Sequence, residues 1–189
     1  GISLFTTHGV VKWNDSYDRD GFSYFDGAEW KTINNKKTPS TVVDLDQMQD
    51  AQAIVSEPGN PSHIFVGSRI NGLFEFKDNA PVVNHTKTNS TLLGAFGNDG
   101  QVKIGGLDFD DQGNLWVVNS GVFSALNKLS MDGSWEAINM QSVIPNGVNL
   151  FFGDVLCDSY GQVWAVINSS GIIVYDPSTK KSARLSQEN

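Results

Sequence analysis

The sequence predicts an all-β fold of repeated four-stranded antiparallel units, on three observations. Short alternating runs of apolar and polar residues are punctuated throughout by Gly, Asp, Asn and Pro, as strands joined by tight turns are. The pattern also recurs. "LDFDDQGNLWVVN" at 107–119 aligns with "VLCDSYGQVWAVIN" at 155–168, placing both Gly113 to Gly161 and Trp116 to Trp164 at 48 residues. Finally, no stretch carries a long 3.6-residue apolar period, and "VVDLDQMQDAQAIV" is the one plausible short helix. A repeat of about 50 residues in four strands has the period of a β-propeller blade. At that period the 189 residues make about three to four blades, a partial ring.

The elements follow in order. A single propeller segment spans 1–189, with blades at about 1–40, 41–90, 91–140 and 141–189. In the first, "ISLFT" aligns with "IFVGS" at 64–68, the second strand of a blade. The first blade is therefore expected to lack its axis-proximal strand. The second carries "AIVSEPGNPSHIFVGS" at 53–68, with Phe65 in the aromatic slot of Trp116 and a longer turn through Pro58, Gly59 and Pro61. The later half of each unit repeats as well: "GFSYFDGAEWKTIN", "GLFEFKDNAPVVNH", "ALNKLSMDGSWEAIN" and "GIIVYDPSTKKSARL" begin at Gly21, Gly72, Ala125 and Gly171. Trp30 and Trp135 share one slot two units apart.

The acidic residues of the repeat have a structural explanation. Asp110 and Asp158 precede Gly113 and Gly161 at equal spacing, because a hairpin favours an Asx-type acceptor followed by a residue free to take positive φ. Trp116 and Trp164 then supply apolar surface for packing between blades.

Composition narrows the function classes. Charged residues are 18% and the hydrophobic set 39%, a globular balance. The net charge is −8, and no basic cluster exceeds Lys36-Lys37 or Lys180-Lys181, so nucleic acid is not an expected partner. Cys157 is the single cysteine, which leaves no internal disulfide and no CxxC site. No apolar run reaches membrane-span length. The chain opens directly on a strand-like run, as a secreted protein freed of its leader or a segment of a longer chain would.

Enzymatic signatures are thin. His8, His63 and His85 fall at unequal repeat positions, without an H-x-x-x-H or H-E-x-x-H pair, and read as solvated loop histidines rather than metal ligands. "DSYDRDGF" brings Asp15, Asp18 and Asp20 together, yet it lacks the D-x-D-x-D-G spacing and the twelfth-position glutamate of a calcium loop. It reads as an acidic insertion between strands. No G-x-S-x-G elbow or phosphate-cradling loop is present, and "GNDG" and "IGG" read as turn material. No cofactor and no metal site is expected, and the chain is expected not to be an enzyme.

The unit "φxφDxxGxφWφ…Gφxxφ" resembles the two-component-regulator propeller repeat. Over nearly the whole chain, "HGVVKWND…GFSYFDGAEW", "NPSHIFVGSRINGLFEFKDN", "GQVKIGGLDFDDQGNLWVVNSG" and "CDSYGQVWAVI" resemble the propeller region of PorZ-like proteins of the type IX secretion system. The resemblance implies a periplasmic or cell-surface location and a non-catalytic role. The propeller would present a surface to lipopolysaccharide, another glycan, or secretion components. The alternatives are the glycan-sensing propeller of a hybrid two-component histidine kinase, with signalling proteins as partners, and a propeller lyase or hydrolase. Streptogramin-lyase-like propellers also show "GNLWV…NKL"-like repeats.

A ligand site is expected where the loops after each second strand gather at one face of the ring. These hold His8, Arg69, Asn71, Asn119, Phe123 and Asn168. Arginine and asparagine suit hydroxyl- and phosphate-rich glycans, and a phenylalanine can stack on a sugar ring. The competing reading is that the asparagines only tie their own loops. An arc of about three to four blades also leaves two end faces uncovered, so the isolated segment is expected to self-associate, most simply as a two-fold dimer completing a ring.

Overall fold

The computed structural model describes residues 4–7, 15–144, 147–148 and 150–186. Strands account for the regular structure, in four antiparallel sheets. The first holds β1 (Leu4–Thr7), β2 (Phe22–Phe25) and β3 (Trp30–Ile33); the second holds β4 (Ala51–Glu57), β5 (Asn60–Ser68), β6 (Gly72–Lys77) and β7 (Ala80–His85). The third holds β8 (Lys103–Phe109), β9 (Leu115–Ser120), β10 (Leu126–Leu129) and β11 (Trp135–Ile138). The fourth holds β12 (Phe152–Cys157), β13 (Val163–Ile167), β14 (Gly171–Asp176) and β15 (Lys181–Leu185). Within each sheet the strands lie in sequence order, and in the three four-stranded sheets successive strands are joined by hairpins or short loops. The first sheet has three strands, and β1 is its edge. The fold is a partial β-propeller.

The expected helix forms only a 3₁₀ turn over Leu45–Gln47, capped by the Asp44 side chain accepting from the Asp46 amide. The end of that stretch, from Ala51, is β4, where pairing with β5 outweighs a weak local helical tendency. A second 3₁₀ turn lies at Gln141–Val143.

Three apolar clusters stack the sheets in a row. Phe22 and Ile33 of the first sheet meet Ile64, Val66, Phe74 and Phe76 of the second. The opposite face of the second sheet, with Phe65 and Leu73, meets Leu107, Leu115, Val117 and Leu129 of the third. The opposite face of the third, with Trp116, Val118 and Leu126, meets Val163, Ala165, Ile173 and Tyr175 of the fourth. Each interior sheet thus buries both faces, as propeller blades do.

The first strands β4, β8 and β12 run against one another on the axis side. Close approach there needs glycine: a Cβ on Gly105 would collide with the carbonyl oxygens of Phe152 and Gly153. A second glycine slot precedes β2 and opens β6 and β14, with Ala125 in its place before β10. Gly21, Gly72 and Gly171 have φ of 74°, 90° and 96°, and a Cβ on them would strike the carbonyls of Ile33, His85 and Leu185. The repeated small residue in the sequence marks this contact.

Polar ties cross between blades. The Cys157 amide donates to Asp108 Oδ2 at 2.7 Å, the Phe152 amide donates to Ser120 Oγ at 3.0 Å, and Gln52 donates to the Ile104 carbonyl. No helix among the described residues is long and apolar enough to cross a membrane.

Candidate functional site

The strand order creates two unlike faces. The β5–β6, β9–β10 and β13–β14 loops open on one, together with the long connections between blades. The hairpins β4–β5, β6–β7, β8–β9 and β10–β11 lie on the other.

On the loop face, the expected site residues have different fates. His8 lies outside the described residues. Arg69 is buried, and its Nε donates to Asp15 Oδ1 at 2.8 Å. The buried Lys103 ammonium meets the same carboxylate at 3.0 Å. Burial would raise the Asp15 pKa, but hydrogen bonds and charge from Lys103 and Arg69 hold it below the ordinary carboxylate value. Asp15 therefore pins the first blade's loop to the second and third. The same loop is tied again at Asp50, whose carboxylate accepts from the amides of Ser16, Tyr17 and Asp18 at 2.8–3.0 Å.

Asn71 donates to the Gln47 carbonyl at 2.8 Å. Asn119 is fully buried; it accepts from the Leu93 amide at 2.7 Å and donates to the carbonyls of Leu93 and Lys103. These two asparagines tie loops. Asn168 carries a buried Nδ2 that has no hydrogen-bond partner among the described residues. Phe123 is partly buried against the third cluster.

Between these loops lies a hollow of about 480 Å³, lined by Phe96, Asn98, Gln101, Lys103, Gly121 and Leu150 among others. Phe96 is 66% exposed and stands edge-on to Phe123, with centroids 5.6 Å apart. Its amide donates to the Gly121 carbonyl at 3.0 Å, which fixes the ring at the rim. Of these two paired rings the exposed one is thus Phe96, not Phe123. "GAFGNDG" reads as a turn, and the signal in it is a phenylalanine between glycines, where no strand needs one.

On the hairpin face the histidines differ from the sequence expectation. His63 and His85 are not solvated loop residues. Both point from the second sheet into the gap toward the third, and Glu75 lies between them. His63 Nε2 is 2.9 Å from Glu75 Oε1, and His85 Nε2 is 2.9 Å from Glu75 Oε2. His63 Nδ1 is 2.9 Å from Glu57 Oε2, and Lys77 Nζ is 3.1 Å from Glu75 Oε1. Burial pushes the Glu75 carboxyl up, yet the bonds from His85, His63 and Lys77 outweigh it and bring it to about 2. Trp135 packs on His85 at 5.3 Å between ring centroids. The cleft is about 300 Å³, with Phe109, Leu129 and Met131 on its opposite wall. Sequence spacing missed this cluster because antiparallel pairing, not proximity in the chain, brings residues 57, 63, 75 and 85 together.

No family model matches the chain, and no curated protein does. Among solved structures, the chain is similar to PorZ, an essential bacterial surface component of the type IX secretion system of Porphyromonas gingivalis. The TM-score is 0.77 at 23% identity, covering 98% of this chain and 26% of that one. It is also similar to the extracellular domain of a putative hybrid two-component system from B. thetaiotaomicron, with TM-score 0.60, 14% identity, and 89% and 20% of the two chains covered. Streptogramin B lyase matches with TM-score 0.60 at 12% identity, over 95% of this chain and 57% of that one. The chain spans about a quarter of the PorZ structure it matches. What these likenesses establish is the fold, a segment of a β-propeller.

Proposed function

We propose that the chain is a non-catalytic propeller segment of a bacterial cell-envelope protein, a binding and assembly platform like the PorZ-like component of type IX secretion. One observation carries the binding half of this reading: the loop-face hollow sets the exposed Phe96 ring beside the amides of Asn98 and Gln101. A flat apolar ring with flanking amide donors and acceptors suits a sugar, which presents a C–H face and a rim of hydroxyls. The similarity to a bacterial surface component and to the extracellular domain of a putative hybrid two-component system supports an envelope location. A sensor propeller of a two-component system would use the same hollow for its glycan.

The test is binding to an array of bacterial polysaccharides, including lipopolysaccharide glycans. Phe96→Ala and Gln101→Ala should each weaken binding about tenfold, the equivalent of roughly 1.4 kcal/mol, with the melting temperature unchanged. Binding unaffected by both variants, or no binding at all, overturns the site.

A lyase reading has its own observation, the Glu75 carboxylate between two histidines in a cleft. Incubation with quinupristin, the ligand in a structurally similar virginiamycin B lyase, checks it. We expect quinupristin to remain intact; turnover that disappears with His85→Ala would establish an enzyme.

A further inference from the structure

We propose that the cleft between the second and third sheets is a binding site for a small apolar primary amine, its ammonium held at Glu57 and its apolar body against Phe109 and Met131. Both walls belong to sheets that have a neighbour on each side within the chain, so the cleft is an interior feature of the arc. It lies on the hairpin face and is independent of the loop-face hollow proposed above for a glycan.

The repeat shows what is unusual here. Two residues before the aromatic slot, His63 stands where the later blades have Asn114 and Gln162. The strand pairs Leu73–His85 and Leu126–Ile138 put His85 in the slot of Ile138. In the third and fourth blades the indole Nε1 donates to the turn carboxylate, Trp116 to Asp110 at 2.9 Å and Trp164 to Asp158 at 2.8 Å. Phe65 offers no such donor. The carboxylate at the corresponding turn is Glu57, at the end of β4. Its Oε2 meets His63 Nδ1 at 2.9 Å and accepts from Asn60 Nδ2 at 3.2 Å, and no hydrogen bond reaches its Oε1 among the described residues. Buried ionic groups stabilise an interface less than apolar side chains of the same size. A blade that departs from its own repeat to place them there marks a functional site rather than a stronger joint.

The two walls define the ligand. The second-sheet wall carries two carboxylates, Glu57 and Glu75, against one ammonium, Lys77, with the histidines counted as neutral. Glu75 is fully engaged, its Oε1 by His63 and Lys77 and its Oε2 by His85. The open acceptor is therefore Glu57 Oε1, and a primary ammonium supplies both the donor and the charge it lacks. The net charge of −8 favours the approach of a cation. The third-sheet wall has no charged residue; Phe109, Leu115, Leu129 and Met131 line it. Met131 is 75% exposed, and its Sδ lies 3.1 Å from where a Cβ on Gly113 would stand, so the thioether links two hairpin tips at the mouth of the cleft. A thioether and a phenyl ring suit the edge and face of an aromatic group. At about 300 Å³ the cleft is at the small end of ligand sites, the size for a single-ring compound.

Titration of the chain with phenethylamine, followed by the methionine methyl resonances, tests the site. Saturable binding is expected at millimolar amine or below, with the Met131 methyl shifting and those of the buried Met48 and Met140 staying in place. Phenethyl alcohol keeps the ring without the charge, and propylamine keeps the charge without the ring; each should bind about tenfold more weakly, the equivalent of roughly 1.4 kcal/mol. Glu57→Gln should weaken phenethylamine by about tenfold. Lys77→Met removes the competing cation and should tighten it about threefold, a gain that misfolding cannot imitate. No saturable shift at Met131, equal binding of either analogue, or an affinity unchanged in either variant overturns the amine site. Each of these outcomes leaves the loop-face reading standing, because glycan binding and its Phe96→Ala variant report on that hollow separately.

Discussion

The β8–β9 and β12–β13 hairpins are nearly the same object in two settings. Asp110 Oδ1 accepts from the amides of Gln112 and Asn114, and its Oδ2 accepts from Trp116 Nε1 at 2.9 Å. Asp158 does the same for Tyr160, Gln162 and Trp164 Nε1, the last at 2.8 Å. Gly113 and Gly161 close the turns at φ of 80° and 78°. Yet Trp116 is 1% exposed beneath the fourth sheet, with Lys128 Nζ 5.9 Å above its ring, whereas Trp164 is only partly buried. Turn chemistry is complete within one hairpin; burial of the tryptophan is contributed by the neighbour.

Truncating the two rings gives the largest expected contrast. Trp116→Ala should cost about 3–5 kcal/mol, the range for a buried aromatic that leaves a cavity. Trp164→Ala should cost about 1–2 kcal/mol because less apolar area leaves water there. Urea denaturation of the two variants measures the gap, and equal midpoints would show that the fourth sheet does not cover Trp116.

Removing the acceptor instead of the ring narrows the contrast. Asp110→Ala strands a buried indole N–H and two turn amides, for about 1–3 kcal/mol. Asp158→Ala exposes the same donors to solvent that can replace the carboxylate, and about 0.5–1 kcal/mol is expected. Thermal melts of the pair decide, and a larger loss at Asp158 would reverse the ordering.

Acid extends the comparison to the interface between the second and third sheets. Glu75 has an ordinary value of 4.5 and is lowered to about 2 in the folded chain. Its contribution to stability is therefore complete above about pH 4.5 and is lost as pH falls toward 2. Trp135, its ring tilted against His85 beside Glu75, is the local reporter. Glu75→Gln should flatten the acid dependence of stability between pH 4.5 and 2, and an unchanged slope would separate the cluster from acid unfolding.

The smallest effect is kinetic. Burial, followed by the charges of Asp108, Asp110 and Asp158, pushes the Cys157 thiol well above its usual range, so alkylation near pH 8 should be slow. Its amide is held by Asp108 across the third-to-fourth interface, so Trp116→Ala should accelerate labelling and Trp164→Ala should not.

Local and near-local chemistry was legible in the residues themselves. The 48-residue spacing of Gly113 and Gly161 and of Trp116 and Trp164 announced the repeat. The hairpins, the Asp–Gly turns and the third-strand glycines followed from it, because strand alternation and positive φ are demands that one segment states alone. The folding of "DSYDRDGF" between strands was legible too, but not the capture of Asp15 by Arg69 and Lys103, the latter 88 residues away. Nor was the Glu57–His63–Glu75–His85 chain, whose members come from four different strands of one sheet. The exposed Phe96 and the two fates of equivalent tryptophans belong to the same class. Turn geometry depends on a few neighbouring torsions, which the sequence states directly. Which side chain is buried, paired or left at a rim depends on the sheet that arrives beside it, and only the tertiary structure decides that.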